Sequence, residues 1–388
     1  MLADPVNLLV VANSGRSIAA SAVRGGFRVS VFDGFGDQDT QDLACHWRRI
    51  SMDEFGLNQV ELYRELATSD AGHLETGVVY GAGLENHSGT LRWVSERFRL
   101  LGNEPSVFDL VSNPRQFFAR LARLEIPFPE IRFQPPTGHR AGWLRKRPGS
   151  GGQGVRFFNR EQQPELGADA GNCYYQRYLR GAVMSVLFIA NGASSRLIGY
   201  NSLKQARGVA NQPFLYAGAV SMAGLDPRTA ELLGSFVDRL VVELGLRGIN
   251  SLDCIVSQGR AYVIELNPRP SATLELYEEW VPEGWIKHHV QSCHGLLPEL
   301  PPTRAPALIH GQRIVYLPES VRVPEAMDWP AWCKDRPAPG TLLAKGAALC
   351  SLQVKGDTVA QVERCLQQRQ REILTAIGCR PRQEHARH

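Results

Sequence analysis

The chain has 388 residues, 43% hydrophobic and 21% charged, with a formal net charge of +4. That length allows two or three domains with full cores, and the composition is that of an ordinary soluble globular protein. A pI near 8.6 without clustered Lys and Arg argues against a dedicated nucleic-acid surface, and with no long unbroken apolar run no membrane span is expected.

The N-terminus, MLADPVNLLVVA, carries an early acid and no basic n-region, so it reads as a first strand and not as a signal peptide. Eight cysteines are scattered without a C-x-x-C pair, which predicts reduced, mostly buried thiols and a cytoplasmic location. Asn7–Ala12 is an apolar strand, Asn13-Ser14-Gly15-Arg16-Ser17 a turn, Ile18–Arg24 a helix closed by Gly25-Gly26, and Phe27–Phe32 a second strand ending at Asp33. This βαβ opening predicts an open parallel α/β domain over residues 1–110. The turn lies between a strand's carboxyl end and a helix N-terminus, the usual anion position, but lacks G-x-G-x-x-G. Ser14, Gly15 and Arg16 are therefore read as a substrate-carboxylate site, against the plainer alternative of a loop with one structural glycine. Gly77–Tyr80 is another strand. In the GAGLEN that follows, Glu85 either binds a substrate amino group or caps the next helix.

Near Pro105–Pro114 the composition shifts and a second unit, 111–180, begins. In it, Leu144–Val155 reads LRKRPGSGGQGV: a strand with Lys146, then a loop containing Gly149, Ser150, Gly151, Gly152 and Gly154. Such a loop lets backbone N–H groups approach phosphate oxygens, with the lysine on the same anion. No G-K-[ST] closes it, so it is not a Walker loop; by itself it could equally be a surface turn. Residues 160–172 read as a polar, solvent-facing connection.

In residues 181–300, Val183–Ile189 and Ser195–Tyr200 form strands joined at Asn191-Gly192, and Lys204 and Arg207 are placed in a polar loop that could reach phosphate or substrate. Asp226 caps a helix over Pro227–Leu244, with proline at its first position. Gly248–Arg269, GINSLDCIVSQGRAYVIELNPR, then reads as a hairpin. Residues two apart on a strand share a face, so Glu265 and Asn267 project together, with Arg269 following. A three-residue loop, Gln258–Arg260, sets Asp253 opposite Glu265. Such oxygen donors suit Mg²⁺ held together with phosphates; the bland alternative is an edge hairpin with solvated charges. His288, His289, Cys293 and His294 have metal-like spacing but too few regular ligands for a zinc site, and a packed or solvated helix is preferred. Residues 301–388 are read as a small extension with short strands, a Pro337–Gly340 turn and a final helix around Val359–Ile377.

Together these motifs resemble the ATP-grasp superfamily from about Val6 to Glu372, most strongly between Asn113 and Arg269. The resemblance implies an α/β and α+β architecture with an N-terminal open parallel domain, central and C-terminal ATP-grasp subdomains and a C-terminal extension. It implies nucleotide contacts from Arg115 (where relatives often carry lysine), Lys146, the Gly149–Gly154 lid, and a hinge strand with Gln176, Arg177, Tyr178 and Leu179. Asp253, Glu265 and Asn267 match its metal ligands for Mg²⁺, with Mn²⁺ as a substitute. Lys146 and Arg269 match the catalytic cations. Gly81–Asn86, Phe214–Gly218 and Pro339–Thr341 resemble the group related to archaeal tyramine–glutamate ligase of methanofuran synthesis. That implies small carboxylate and amine substrates, for which Ser14, Gly15, Arg16, Glu85, Lys204 and Tyr216 are the binding candidates; a homodimer is one assembly left open. Tyr200, Tyr216 and Trp143 could stack on an aromatic amine or simply belong to the core. E-x-N-x-R is also similar to biotin carboxylases, which leaves a carboxylase, or a nucleotide-binding module without catalysis, as alternatives.

Overall fold

A computed structural model describes residues 6–379 apart from 54–55, 69–75, 85–86, 138–141, 148, 150, 159–172, 207–208, 210, 222–224 and 300–307. Glu85, Ser150, Arg207 and all of the 160–172 connection therefore lie outside the described residues.

The N-terminal unit runs β1 (Asn7–Ala12), α1 (Arg16–Arg24), β2 (Arg28–Asp33), α2 (Gln38–Leu43), β3 (His46–Arg49), β4 (Met52–Asp53), β5 (Gly56–Leu57), α3 (Gln59–Thr68), β6 (Gly77–Tyr80), α4 (Ser88–Ser95) and β7 (Arg99–Leu100). Strands β3-β2-β1-β6-β7 form one parallel sheet. Leu8 to Ala12 are all buried, as a strand covered on both faces requires.

The next unit holds α5 (Pro105–Ser112), α6 (Pro114–Arg123), β8 (Ile131–Arg132), β9 (Trp143–Lys146), β10 (Val155–Phe157) and β11 (Tyr174–Arg177). Asn113 caps α6, its side chain accepting from the Arg115 and Gln116 amides, and Pro114 starts the helix without losing a hydrogen bond. The amphipathic face of α6 buries Phe117, Phe118 and Leu121 with Tyr174 and residues of α7 (Pro227–Leu244). The four strands pair antiparallel in the order β10-β9-β11-β8.

The remaining elements are β12 (Ala182–Asn191), β13 (Ser195–Gln205), β14 (Tyr216–Ser221), α7, β15 (Arg247–Ser257), β16 (Arg260–Asn267), a 3-10 helix (Ala272–Trp280), α8 (Trp285–Cys293), β17 (Ile309–Tyr316), β18 (Val321–Arg322), β19 (Cys333–Lys334), β20 (Leu342–Leu343), β21 (Ala348–Gly356) and α9 (Val359–Ala376). They build an eight-stranded sheet, β16-β15-β12-β13-β14-β17-β21-β19. Asp226 caps α7 as expected, accepting from Thr229 N–H at 2.9 Å.

Two expectations are corrected here. Residues from 301 onward do not stand apart as an extension: β17 pairs with β14 (Gly218 opposite Arg313), so the tail continues the sheet begun at β12. Lys204 is not in a loop but near the end of β13, directly opposite Gly218. His289 is packed and not a ligand. Its Nδ1 accepts from Ile249 N–H at 2.9 Å, its Nε2 lies 3.0 Å from the Leu101 carbonyl, and burial pushes its pKa down to about 4. All eight cysteines are free thiols.

Candidate active site

The site begins with the β15–β16 hairpin. Its turn is two residues, Gln258 (φ +50°) and Gly259 (φ +72°), flanked by the Ser257–Arg260 pair. Both central residues are left-handed, which is what a type I′ hairpin turn demands. The expected three-residue loop is thus replaced by a tighter one. A bulge then leaves Ile264 unpaired between Val263 and Glu265, shifting the register by one and restoring Asp253 opposite Glu265. The end of β16 is fixed from the N-terminal unit: the Pro268 carbonyl accepts from Asn103 Nδ2 at 2.9 Å and from the Tyr80 hydroxyl at 3.2 Å.

Asn267 Nδ2 lies 3.5 Å from Asp253 Oδ2, and Arg269 donates to Asn267 Oδ1 at 3.0 Å. Asn267 and Arg269 are buried, while Asp253 and Glu265 are half-buried. Burial raises the Asp253 carboxyl to about 6, opposed by a hydrogen bond from Ser185 and by Arg269, Lys146 and Asn267. Lys146 comes from β9: its Nζ is 3.3 Å from Gln176 Oε1 and 5.6 Å from the Tyr174 ring centroid. Burial would lower its pKa, but Tyr174, Glu265 and Asp253 outweigh that and hold it above its ordinary value. Residues 146, 253, 265, 267 and 269 therefore form one electrostatic cluster, although they come from two sheets.

A cleft opens beside it, walled by Phe108, Val111 and Phe117, by Lys146 with Gly149, Gly152 and Gly154, and by Glu265, Asn267 and Pro268. The glycine loop lies against the β14 end of the large sheet. Tyr216 N–H donates to the Gly151 carbonyl at 2.9 Å, and Gly152 has φ +74°, where an added Cβ would sit 2.0 Å from the Phe214 carbonyl oxygen. Only glycine fits there. Phe157 and Phe214 rings, 5.1 Å apart, continue the contact.

The other expected residues fall in several places. Gln176 is buried beside Lys146, Leu179 is half-buried, and Arg177 is exposed with its guanidinium 5.6 Å from the Trp143 ring centroid. Tyr178 packs on Phe157 at 5.3 Å. Arg115 is exposed and stacks on Phe133 at 4.0 Å, so it does not wall the cleft. The hydroxyl of Tyr216 accepts from Gln312 Nε2 at 2.8 Å, and burial drives its pKa upward, with Asp253 adding to the rise.

Arg16 and Lys204 are corrections. Arg16 grips Glu275 with two hydrogen bonds (2.5 and 2.7 Å) and Asp335 with a third (2.6 Å), so its charge is spent inside the protein. The helix N-terminus it introduces already holds an anion, because Gly15 N–H donates to Asp33 Oδ2 at 2.9 Å. A substrate carboxylate there would have to displace Asp33; Ser14 is half-buried beside it. Lys204 pairs with Glu363 of α9 at 2.6 Å, and its cross-sheet neighbour Arg313 bonds Gln370 of the same helix. It thus lies on the face opposite Asp253, because α9 covers one side of the sheet and the hairpin acids project from the other.

Two residues were missed: Ser185 and Gln312, both polar and buried in strands. The signal for Ser185 was a lone hydroxyl inside the apolar run AVMSVLFIA.

Comparison with known proteins settles the architecture. A family model described as an ATP-grasp domain matches residues 111–273. The chain superimposes on the biotin carboxylase domain of Hydrogenobacter thermophilus 2-oxoglutarate carboxylase, solved with MgADP and bicarbonate. The TM-score is 0.69 at 15% identity, covering 95% of this chain and 89% of that one. The chain has the ATP-grasp fold. An L-amino acid ligase from Bacillus licheniformis shares it (TM-score 0.68, 12% identity, 95% and 97% coverage). In sequence, 134 residues (34% of the chain) are 27% identical to the carbamoyl phosphate synthase large chain of Thermoplasma acidophilum, only 12% of that relative's length.

Among the described residues no three His, Cys, Asp or Glu side chains converge on one point. The cluster at Asp253, Glu265 and Asn267 offers two carboxylates and an amide. That is a poor cage for a protein-only metal but suits Mg²⁺, which keeps one or two carboxylates and takes its other ligands from phosphate and water. The raised Asp253 carboxyl, a negative charge short of solvation, fits a site that a divalent cation would relieve.

Proposed function

We propose that this chain is an ATP-dependent carboxylate–amine ligase, in which the carboxylate takes phosphate from ATP and the resulting acyl-phosphate is attacked by the amine as phosphate leaves. The observation that carries the reading is the convergence of Lys146, Asp253, Glu265, Asn267 and Arg269 beside a cleft walled by the glycine loop. Mg²⁺ on Asp253, Glu265 and Asn267 would neutralise charge on the phosphates, the electrostatic contribution that usually dominates such catalysis. Lys146 stays protonated in the cleft and holds phosphate oxygens. Arg269, hydrogen-bonded to Asn267, would add a fixed positive charge beside the metal ligands. The loop's contact with Phe214 and Tyr216 keeps water from the acyl-phosphate.

Glutamate as the carboxylate and an aromatic or amino-acid amine as the acceptor follow from the Gly81–Asn86 and Phe214–Gly218 resemblance; a methanofuran-like cofactor pathway, a cytoplasmic location and a homodimer are part of the same reading. Tyr216, half-buried at the mouth of the loop contact, is the candidate wall for the amine. A second reading, an ATP-dependent carboxylase that activates bicarbonate, is favoured by E-L-N-P-R at 265–269 and would show as bicarbonate-dependent ADP release without an amine.

The test is a phosphate-release screen of amines against glutamate, run with Glu265→Gln. The variant should keep its circular dichroism spectrum and lose Mg²⁺-dependent ADP formation by at least about 100-fold, as expected for an electrostatic contribution of this kind. Unchanged turnover in the variant would overturn the assignment.

A further inference from the structure

The buried strand residue Ser185 has no assigned part in the reaction, yet it is the direct cross-strand partner of Asp253. Its hydroxyl donates to the Asp253 carboxylate, and the residue is 2% exposed. The same row continues across the sheet. Asn201 lies opposite Ser185 on the far side, and Ser221 opposite Asn201. Asn201 is fully buried, with Oδ1 taken by the Tyr277 hydroxyl at 2.8 Å. Ser221 Oγ accepts from His310 N–H at 2.9 Å.

Three consecutive polar residues across the middle of a buried sheet need a reason, since each must keep its hydrogen bonds to avoid a desolvation penalty. Ser221 pairs with a backbone amide and Asn201 with a tyrosine hydroxyl. For Ser185 the partner is the carboxylate itself. A serine hydroxyl has one proton; once donated to Asp253 it selects the carboxylate oxygen and rotamer left to face the hairpin, while Asn267 Nδ2 stands by Oδ2.

We propose that Ser185 is a positioning residue for the Asp253 carboxylate, presetting it to receive a divalent cation; this rests on the metal reading given above. Partners of a ligating carboxylate typically influence metal affinity by about 10–100-fold. The hydroxyl matters and not the packing, so threonine, which keeps the hydroxyl and suits a strand, should serve in its place.

The experiment measures Mn²⁺ binding by electron paramagnetic resonance in the presence of ADP, and ADP binding separately in EDTA, for the wild-type chain, Ser185→Ala, Ser185→Thr, Ser221→Ala and Asp253→Asn. Ser221→Ala is the control for loss of a buried hydroxyl in the same row that does not touch Asp253. The expected result is Mn²⁺ affinity lowered about 10–100-fold in Ser185→Ala, largely restored in Ser185→Thr and unchanged in Ser221→Ala, with metal-free ADP affinity the same throughout. Mn²⁺ binding that is normal in Ser185→Ala but lost in Asp253→Asn would overturn the role of Ser185 alone. Normal binding in Asp253→Asn would overturn the metal reading beneath it.

Discussion

Replacing Arg16 with methionine should destabilise the protein without altering the chemistry of the cleft. Arg16 is 6% exposed at its side chain, and its partners Glu275 and Asp335 are 14% and 21% exposed. Removing one member of a buried ion pair costs about 3–5 kcal/mol, because the charge left behind has lost both its solvent and its partner. With two partners that keep some contact with water, the lower end, about 3 kcal/mol, is expected. The pH dependence has a definite sign. Burial pushes the Asp335 carboxyl up, and the Arg16 ion pair more than reverses this, so it sits below its ordinary value. Without Arg16 the push upward remains unopposed by that pair. The folded variant would then hold a proton that the unfolded chain releases above about pH 4, so its stability falls as pH rises. Urea unfolding followed by tryptophan fluorescence should therefore show a larger deficit at pH 8 than at pH 5. A deficit under about 1 kcal/mol at both pH values, with weakened carboxylate-substrate binding instead, would refute the structural assignment and return Arg16 to the substrate site.

Gly152→Ala places a Cβ against the Phe214 carbonyl in a left-handed conformation; relieving it means parting the loop from β14, so the variant should turn over ATP at least about tenfold more slowly, with apo stability lowered by about 1–2 kcal/mol. Stopped-flow ADP release and thermal unfolding check both halves. Asp37 caps α2, accepting from Thr40 N–H, and burial with nearby Asp335 raises its carboxyl to about 7. A raised carboxyl makes the native state hold protons that the unfolded chain gives up, so wild-type stability from this group falls between about pH 4 and 7. Asp37→Asn keeps the cap and should gain on the wild type by more than about 1 kcal/mol between pH 5 and pH 8; a pH-independent difference in urea midpoints would count against it.

The acids of the hairpin were legible because a two-residue period on a strand fixes their face regardless of the turn. Even a misjudged loop did no harm, since the bulge at Ile264 compensates for the tighter turn. The fate of Arg16 was not legible. Its partners lie 259 and 319 residues along the chain, and no local pattern reports a contact at that separation. Lys204 was misplaced because KQARG reads as polar loop, whereas pairing with β14 extends the strand through Gln205. The helix at 227–244, by contrast, carried its cap, its proline and its apolar spacing within its own segment, and the structure matches it at both ends.

The merged eight-stranded sheet limits how this polypeptide can be shortened. Ending it at residue 300 would strip β17, β21 and α9 from their neighbours. The amides and carbonyls of β14 would become an open rim, next to the bared side chain of Val220, and unpaired rims of that kind recruit other chains. Trimming the last quarter of the protein would thus yield a sticky fragment, not a smaller folded unit.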